Sequence, residues 1–184
     1  MRSALFALII LMASPAMAGV VEPGKEGALA EILPPVPGEH ICFRRDYDDK
    51  HMAAHPKQSV REIEFRLAYF AHEADETYPQ GQRNYYFDLR VKRKGERHFA
   101  SGLGECSIND GGIFCGIDCD GGGIFLKKGA EAASVNLDFG DMWGISMSSE
   151  CGGGEASDTD LVPGEDDKSF KLTRIAECPA YEDW

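Results

Sequence analysis

Hydrophobic and polar residues alternate along most of this chain with the two-residue period of half-buried strands. Between Arg61 and Phe70, Ile63, Phe65, Leu67 and Tyr69 share one face, and Glu62, Glu64 and Arg66 the other. Between Asn84 and Lys94 the pattern recurs, with Tyr85, Phe87, Leu89 and Val91 set against Tyr86, Asp88, Arg90 and Lys92. His40–Arg45 predicts a short opening strand and Ser169–Ile175 a closing one. The polar stretch Asp46–His55 predicts one or two helical turns. Pro56 ends them, because proline disfavours helix at the residue before it.

Lys94-Gly95 marks a turn into a strand over Arg97–Ile108, whose register is open. One phase sets Ala100, Gly102 and Gly104 opposite the large residues of the preceding strand. The other sets Phe99 and Leu103 there, and a bulge at the glycines would join the two phases. Asp110-Gly111 is the strongest hairpin signal and pairs Asn109 with Gly112, Ile108 with Ile113 and Cys106 with Cys115. Cys115, Ile117 and Cys119 continue that face, and Gly121–Gly123 turns the chain into Ile124–Lys128. Val135, Leu137 and Phe139 alternate, as do Trp143, Ile145 and Met147. A loop at Gly140–Met142 pairs Phe139 with Trp143, Leu137 with Ile145 and Val135 with Met147. The result is an all-β antiparallel meander of eight or nine strands. Its expected closure is a closed or nearly closed barrel, with a two-sheet β-sandwich as the alternative.

The first residues follow another pattern. Arg2 precedes an apolar run from Ala4 to Met12, Pro15 breaks it, and Ala16-Met17-Ala18 supplies small residues. Residues 1–18 therefore read as a secretory signal peptide, cleaved after Ala18. The run is too short for a membrane span, and no later stretch is long enough, so no membrane span is expected. Residues 19–39 hold Pro23, Pro34, Pro35 and Pro37 without a clean period, and read as an extended Pro/Gly-rich lead-in. Residues 40–184 form the single β domain. The expected location is periplasmic or extracellular.

With 184 residues, 43 % of them hydrophobic and 27 % charged, the chain is globular in composition. Its net charge of −12 argues against nucleic acid or anionic lipid as a partner and would steer a basic protein toward it. The six cysteines, in an exported chain, read as three cystines. The preferred pairing is Cys42–Cys178, Cys119–Cys151 and Cys106–Cys115; the nearest alternative joins Cys115–Cys151 and Cys106–Cys119. No C-x-x-C is present. Cys115 and Cys119, four apart on a strand, would stand about 13 Å apart, too far for one tetrahedral metal.

Two places suggest a metal. His51 and His55 are neighbours on one helical face, and Asp48 lies close enough in sequence to join them around zinc or copper. The same residues also suit a helix dipole, with acids at its start and histidines at its end. The acidic loop 150–167, with Glu150, Glu155, Asp158, Asp160, Glu165, Asp166 and Asp167, offers hard oxygen ligands for calcium, as do Asp118 and Asp120 before three glycines. Calcium-loop spacing is missing.

Catalytic motifs are missing as well. Gly144-Ile145-Ser146-Met147-Ser148 departs from G-x-S-x-G at its last position and sits within an alternating run. The basic run Arg90, Lys92, Arg93, Lys94, Arg97 reads as a solvated hairpin tip. The leader, the size and the cystine-stapled meander are similar in architecture to lipocalin-like barrels and to the small barrels that inhibit lysozyme in the bacterial periplasm. The G-x-W signature of lipocalins is absent, since the tryptophans are Trp143 and Trp184, so no functional residue carries over. The expected function is that of an exported, non-enzymatic binding or inhibitor-like module. It would take a basic protein or a small ligand in the cell envelope and need no cofactor. The alternative is a metal-binding protein using His51 and His55, or the acidic loop, with zinc or calcium.

Overall fold

A computed structural model describes Val21 and residues 24–109, 112–131, 133–147 and 160–179. The predicted leader, Cys151, and Glu150, Glu155 and Asp158 of the acidic loop lie outside the described residues. So do the turn residues Asp110 and Gly111.

Eight antiparallel strands follow one another around a closed barrel: β1 (His40–Asp46), β2 (Val60–His72), β3 (Gln82–Arg93), β4 (Ala100–Asn109), β5 (Gly112–Gly116), β6 (Gly123–Lys128), β7 (Ser134–Asp138) and β8 (Ser169–Ile175). β8 closes on β1 through Cys42↔Ile175, Phe43↔Arg174 and Arg44↔Thr173. That pairing rules out the sandwich, which would leave both strands as edges. Two six-residue helices accompany the barrel, α1 (Gly27–Ile32) and α2 (Asp49–Ala54).

The alternation seen in the sequence sorts side chains in or out of the barrel. Ile63, Phe65 and Leu67 of β2, Tyr85, Phe87 and Leu89 of β3, Ile124 and Leu126 of β6, Leu137 of β7 and Phe170 and Leu172 of β8 are all at most 1 % exposed. These described side chains pack together as the barrel's core.

The open register of β4 resolves in favour of its small residues. Val91 faces Ala100, Leu89 faces Gly102 and Phe87 faces Gly104, without a bulge. The irregularity in this part of the sheet lies instead between Val60 and Glu62 of β2. The missing side chains of β4 make room for backbone. A Cβ on Gly102 would stand 2.4 Å from the carbonyl oxygen of Ser146, and one on Gly104 would stand 2.1 Å from that of Gly116.

Three expectations change. First, Gly27–Ile32 is helical, and Leu29, Ile32 and Leu33 are buried at the barrel end bordered by β4 and β5. The Tyr85 hydroxyl donates to the Leu33 carbonyl at 3.1 Å. The helix is too short to show a period among the surrounding prolines. Second, Cys119 does not continue a strand face. β5 stops at Gly116, and Cys119 and Asp120 have φ of 59° and 61° in a turn closed by Gly121 N–H to the Asp118 carbonyl at 3.1 Å. The reversal expected at the three glycines begins at this turn.

Third, Trp143–Met147 does not pair with β7. β6 takes one edge of β7 and β8 the other. Gly144, with φ of 152°, breaks the alternation, so that Trp143 turns outward and Ile145 inward. Ile145 bridges Gly122 on one side and Leu161 on the other. This segment and Leu161 plug the barrel end where β4 is glycine-rich.

Candidate functional site

The candidates that fall among the described residues each have a definite place. Two expected cystines are formed. Cys42–Cys178 ties the opening strand to the chain beyond the closing one, and Cys106–Cys115 crosses the β4–β5 hairpin. Cys119 is also disulfide-bonded, while Cys151, its expected partner, lies outside the described residues.

Helix α2 does bring His51 and His55 together. Their rings stack with centroids 4.4 Å apart, and the Tyr47 ring lies tilted against His51 at 4.5 Å. The third expected ligand is engaged elsewhere. Asp48 caps the helix, its carboxylate accepting the His51 N–H at 2.7 Å. His51 Nε2 lies 2.9 Å from the Gln58 side-chain oxygen, and His55 Nδ1 lies 3.8 Å from Asp166. Among the described residues no three His, Cys, Asp or Glu side chains converge as a metal site.

The described part of the acidic loop fastens the barrel. Asp167, 2 % exposed, accepts from the Ser59 N–H and hydroxyl at 2.7 Å each and from the Val60 N–H at 3.4 Å. Asp166 accepts from the Lys57 N–H, Glu165 pairs with Lys57 Nζ, and Asp160 accepts from the Met147 N–H. These carboxylates satisfy the donors at the start of β2 and along the plug instead of gathering around a cation.

The outward face of β1–β3 carries a charge network that the sequence showed only as alternation. Arg44 reaches Asp46 at 2.8 Å, Glu62 at 3.0 Å and Glu64 at 3.2 Å. Glu64 also holds Arg90 at 3.0 Å, and Lys92 pairs with Glu62. Arg90 and Lys92, expected to be solvated, also lie over the Phe99 ring at 4.6 and 5.2 Å. Burial pushes the Glu64 carboxyl above the usual carboxylate value of 4.5, against the pull of Arg90 and Arg44.

Glu105 on β4 is raised too, chiefly by burial, against its bond from the Asn84 amide at 3.2 Å. A carboxyl raised on folding keeps its proton to higher pH in the folded chain. Its contribution to stability is present below the ordinary carboxylate value and is lost as pH rises through the folded one. Glu105→Gln should therefore reduce the fall in Tm between about pH 4 and pH 7. An unchanged slope contradicts this assignment.

The residue that the sequence misplaced is open to a partner. Trp143, expected to face Phe139 inside a hairpin, is 45 % exposed. A Cβ on Gly122 would stand 3.1 Å from its ring, so the indole lies over the glycine loop. Val162 is 49 % exposed and sits beside Gly144 through the Ile145↔Leu161 bridge. Asp118 and Asp120 lie in the turn before Gly122, and Asp141 lies in the turn two residues before Trp143. The placement of Gly140 and Gly144 around Trp143 was the sequence signal that the strand is interrupted here. Comparison with known protein families, with characterised proteins and with solved structures finds no match for this chain.

Proposed function

We propose that this chain is an exported, non-enzymatic binding module. In this reading it docks a basic protein through the loop end around Trp143, in the periplasm or outside the cell. The observation that carries the proposal is the exposed Trp143, on a loop end that also holds the exposed Val162 and whose nearby turns carry Asp118, Asp120 and Asp141. A packed core leaves recognition to the outside of the molecule. Aromatic anchors surrounded by polar rims dominate protein interfaces. A chain with a net charge of −12 draws a basic partner by long-range attraction. The cystines support export, because disulfides persist in oxidising compartments.

Immobilised protein exposed to cell-envelope extract at low salt should retain a basic protein, and about 0.5 M salt should release it. A parallel column carrying Trp143→Ala should lose it, with affinity reduced by about 30-fold or more. Equal retention on both columns, or retention that salt does not weaken, refutes this reading.

The contact between His51 and His55 favours a second reading, a zinc site on α2 completed by Asp166 or by the partner itself. It predicts that zinc at about 100 times its dissociation constant stabilises the chain by roughly 2.7 kcal/mol relative to chelator, and that His51→Ala abolishes the effect. Equal midpoints with chelator and with zinc remove it.

A further inference from the structure

Ile124 and Leu126 of β6 point into the barrel, so Phe125 between them points out. It is paired with Phe114 of β5 on one side and with Asp138 of β7 on the other. The two phenyl rings meet at 60° with centroids 5.4 Å apart, and both are half-buried. Glycines clear the space on which they lie. A Cβ on Gly123 would stand 2.4 Å from the Phe114 ring, and one on Gly140 would stand 3.0 Å from the Phe125 ring. At Gly140 a carboxylate arrives as well. The Gly140 N–H donates to Asp138 Oδ1 at 2.8 Å. Asp138 Oδ2 takes no partner among the described residues. An outward ring and a half-engaged carboxylate therefore converge on one residue that has no side chain to part them.

The same two parts hold a cation elsewhere on this sheet. Arg90 lies over the Phe99 ring at 4.6 Å while its Nη1 reaches Glu64 at 3.0 Å. Phe125 and Asp138 present ring and carboxylate together, with no cation on them among the described residues. We propose that they receive an arginine side chain of the basic partner, its guanidinium stacked on Phe125 and bonded to Asp138. This rests on the reading that a basic protein docks at the Trp143 end, and it names the group by which that protein is held. The site is continuous with that end. Gly140 comes three residues before Trp143, and Gly123 follows Gly122, over which the indole lies. Charge favours a cation on this side of the wall. Asp141 adjoins Gly140, whereas two residues farther along β6 the outward position is Lys127, opposite Asn136. Arginine suits the site better than lysine, because a planar guanidinium stacks on a ring and still donates in its own plane to a carboxylate.

Two end-capped peptides, tetra-arginine and tetra-lysine, test this by calorimetric titration into the oxidised protein at low salt. Tetra-arginine should bind at least about 3-fold more tightly than tetra-lysine. Asp138→Asn keeps an oxygen for the Gly140 N–H but removes the charge, and should weaken tetra-arginine roughly 10-fold. Glu39→Gln removes the same charge from an exposed position before β1, and should weaken it by less than about 2-fold. Phe125→Leu keeps apolar volume but loses the ring, and should weaken it roughly 5-fold while far-ultraviolet circular dichroism stays that of the barrel. Equal losses in Asp138→Asn and Glu39→Gln overturn the proposal, since net charge alone would then account for binding. Equal affinity for the two peptides, or no binding of tetra-arginine, overturns it too. The comparison of Asp138→Asn with Glu39→Gln leaves every apolar contact in place, so a Phe125→Leu variant that fails to fold does not suspend the test. On the envelope-extract columns, retention lost in Trp143→Ala but kept in Asp138→Asn refutes the arginine site alone. No retention by the parent refutes the docking reading, whereas the peptide titration reports on the site by itself.

Discussion

Replacing Cys42 and Cys178 together by alanine is expected to destabilise the folded chain by about 5 kcal/mol, a large share of the 5–15 kcal/mol typical of a domain. The reason is topological. The bond joins residues 136 apart, and the entropy of the unfolded chain that it removes grows with the logarithm of that loop. Cys106–Cys115, only 9 apart, should contribute about half as much, near 2.5 kcal/mol, from the same relation. The Cys42 bond also fastens the seam where β8 meets β1, which carries three paired positions against seven between β1 and β2. Urea unfolding of the two double variants under oxidising conditions measures both losses. If removing the short bridge costs as much as removing the long one, chain entropy is not what the long bridge contributes.

A single methyl group at Gly104 is expected to be strongly damaging. A Cβ there would stand 2.1 Å from the Gly116 carbonyl oxygen and 2.8 Å from the Phe87 ring. The first neighbour is backbone of the adjacent strand, so the sheet itself would have to move. Overpacking of this kind costs about 1–3 kcal/mol, and a clash with backbone belongs at or above the upper end. Gly112→Ala is the control, since its nearest neighbour is 3.6 Å away and its backbone needs no left-handed conformation. Thermal unfolding should show Gly104→Ala well below the parent and Gly112→Ala within a degree or two of it. Equal midpoints would mean that β4 does not approach Gly116 of β5 and Phe87 of β3 as closely as described.

These two predictions separate what the sequence exposed from what it hid. Strands that bury one face and hydrate the other write their register into the chain. That is why Ile63–Tyr69, Tyr85–Val91 and Ser169–Ile175 were readable. The Asp110-Gly111 pair in the sequence predicted Cys106 opposite Cys115 for the same local reason, and that register is present. The register of β4 was not readable, because Gly102 and Gly104 present no side chain to mark a face. The carbonyl that Gly102 makes room for, that of Ser146, is more than forty residues away.

Trp143 was misplaced because alternation around it is real but short. Pairing depends on which strand edges remain free, and that is a property of the whole barrel. For the site, the helical spacing of His51 and His55 was legible and their contact is real. The sequence could not show that Asp48 caps the helix or that Asp167 is committed to Ser59 and Val60.

Amide nuclear magnetic resonance of the uniformly labelled protein, titrated with the basic protein captured from envelope extract, tests the central claim most directly. The account predicts shifts concentrated at residues 118–122, 138–147 and 160–165, around Trp143. Changes centred on the amides of Phe65, Phe87 and Phe170 would place the ligand inside the barrel. Changes centred on α1 would place it at the opposite end. Either would contradict recognition through the Trp143 loops.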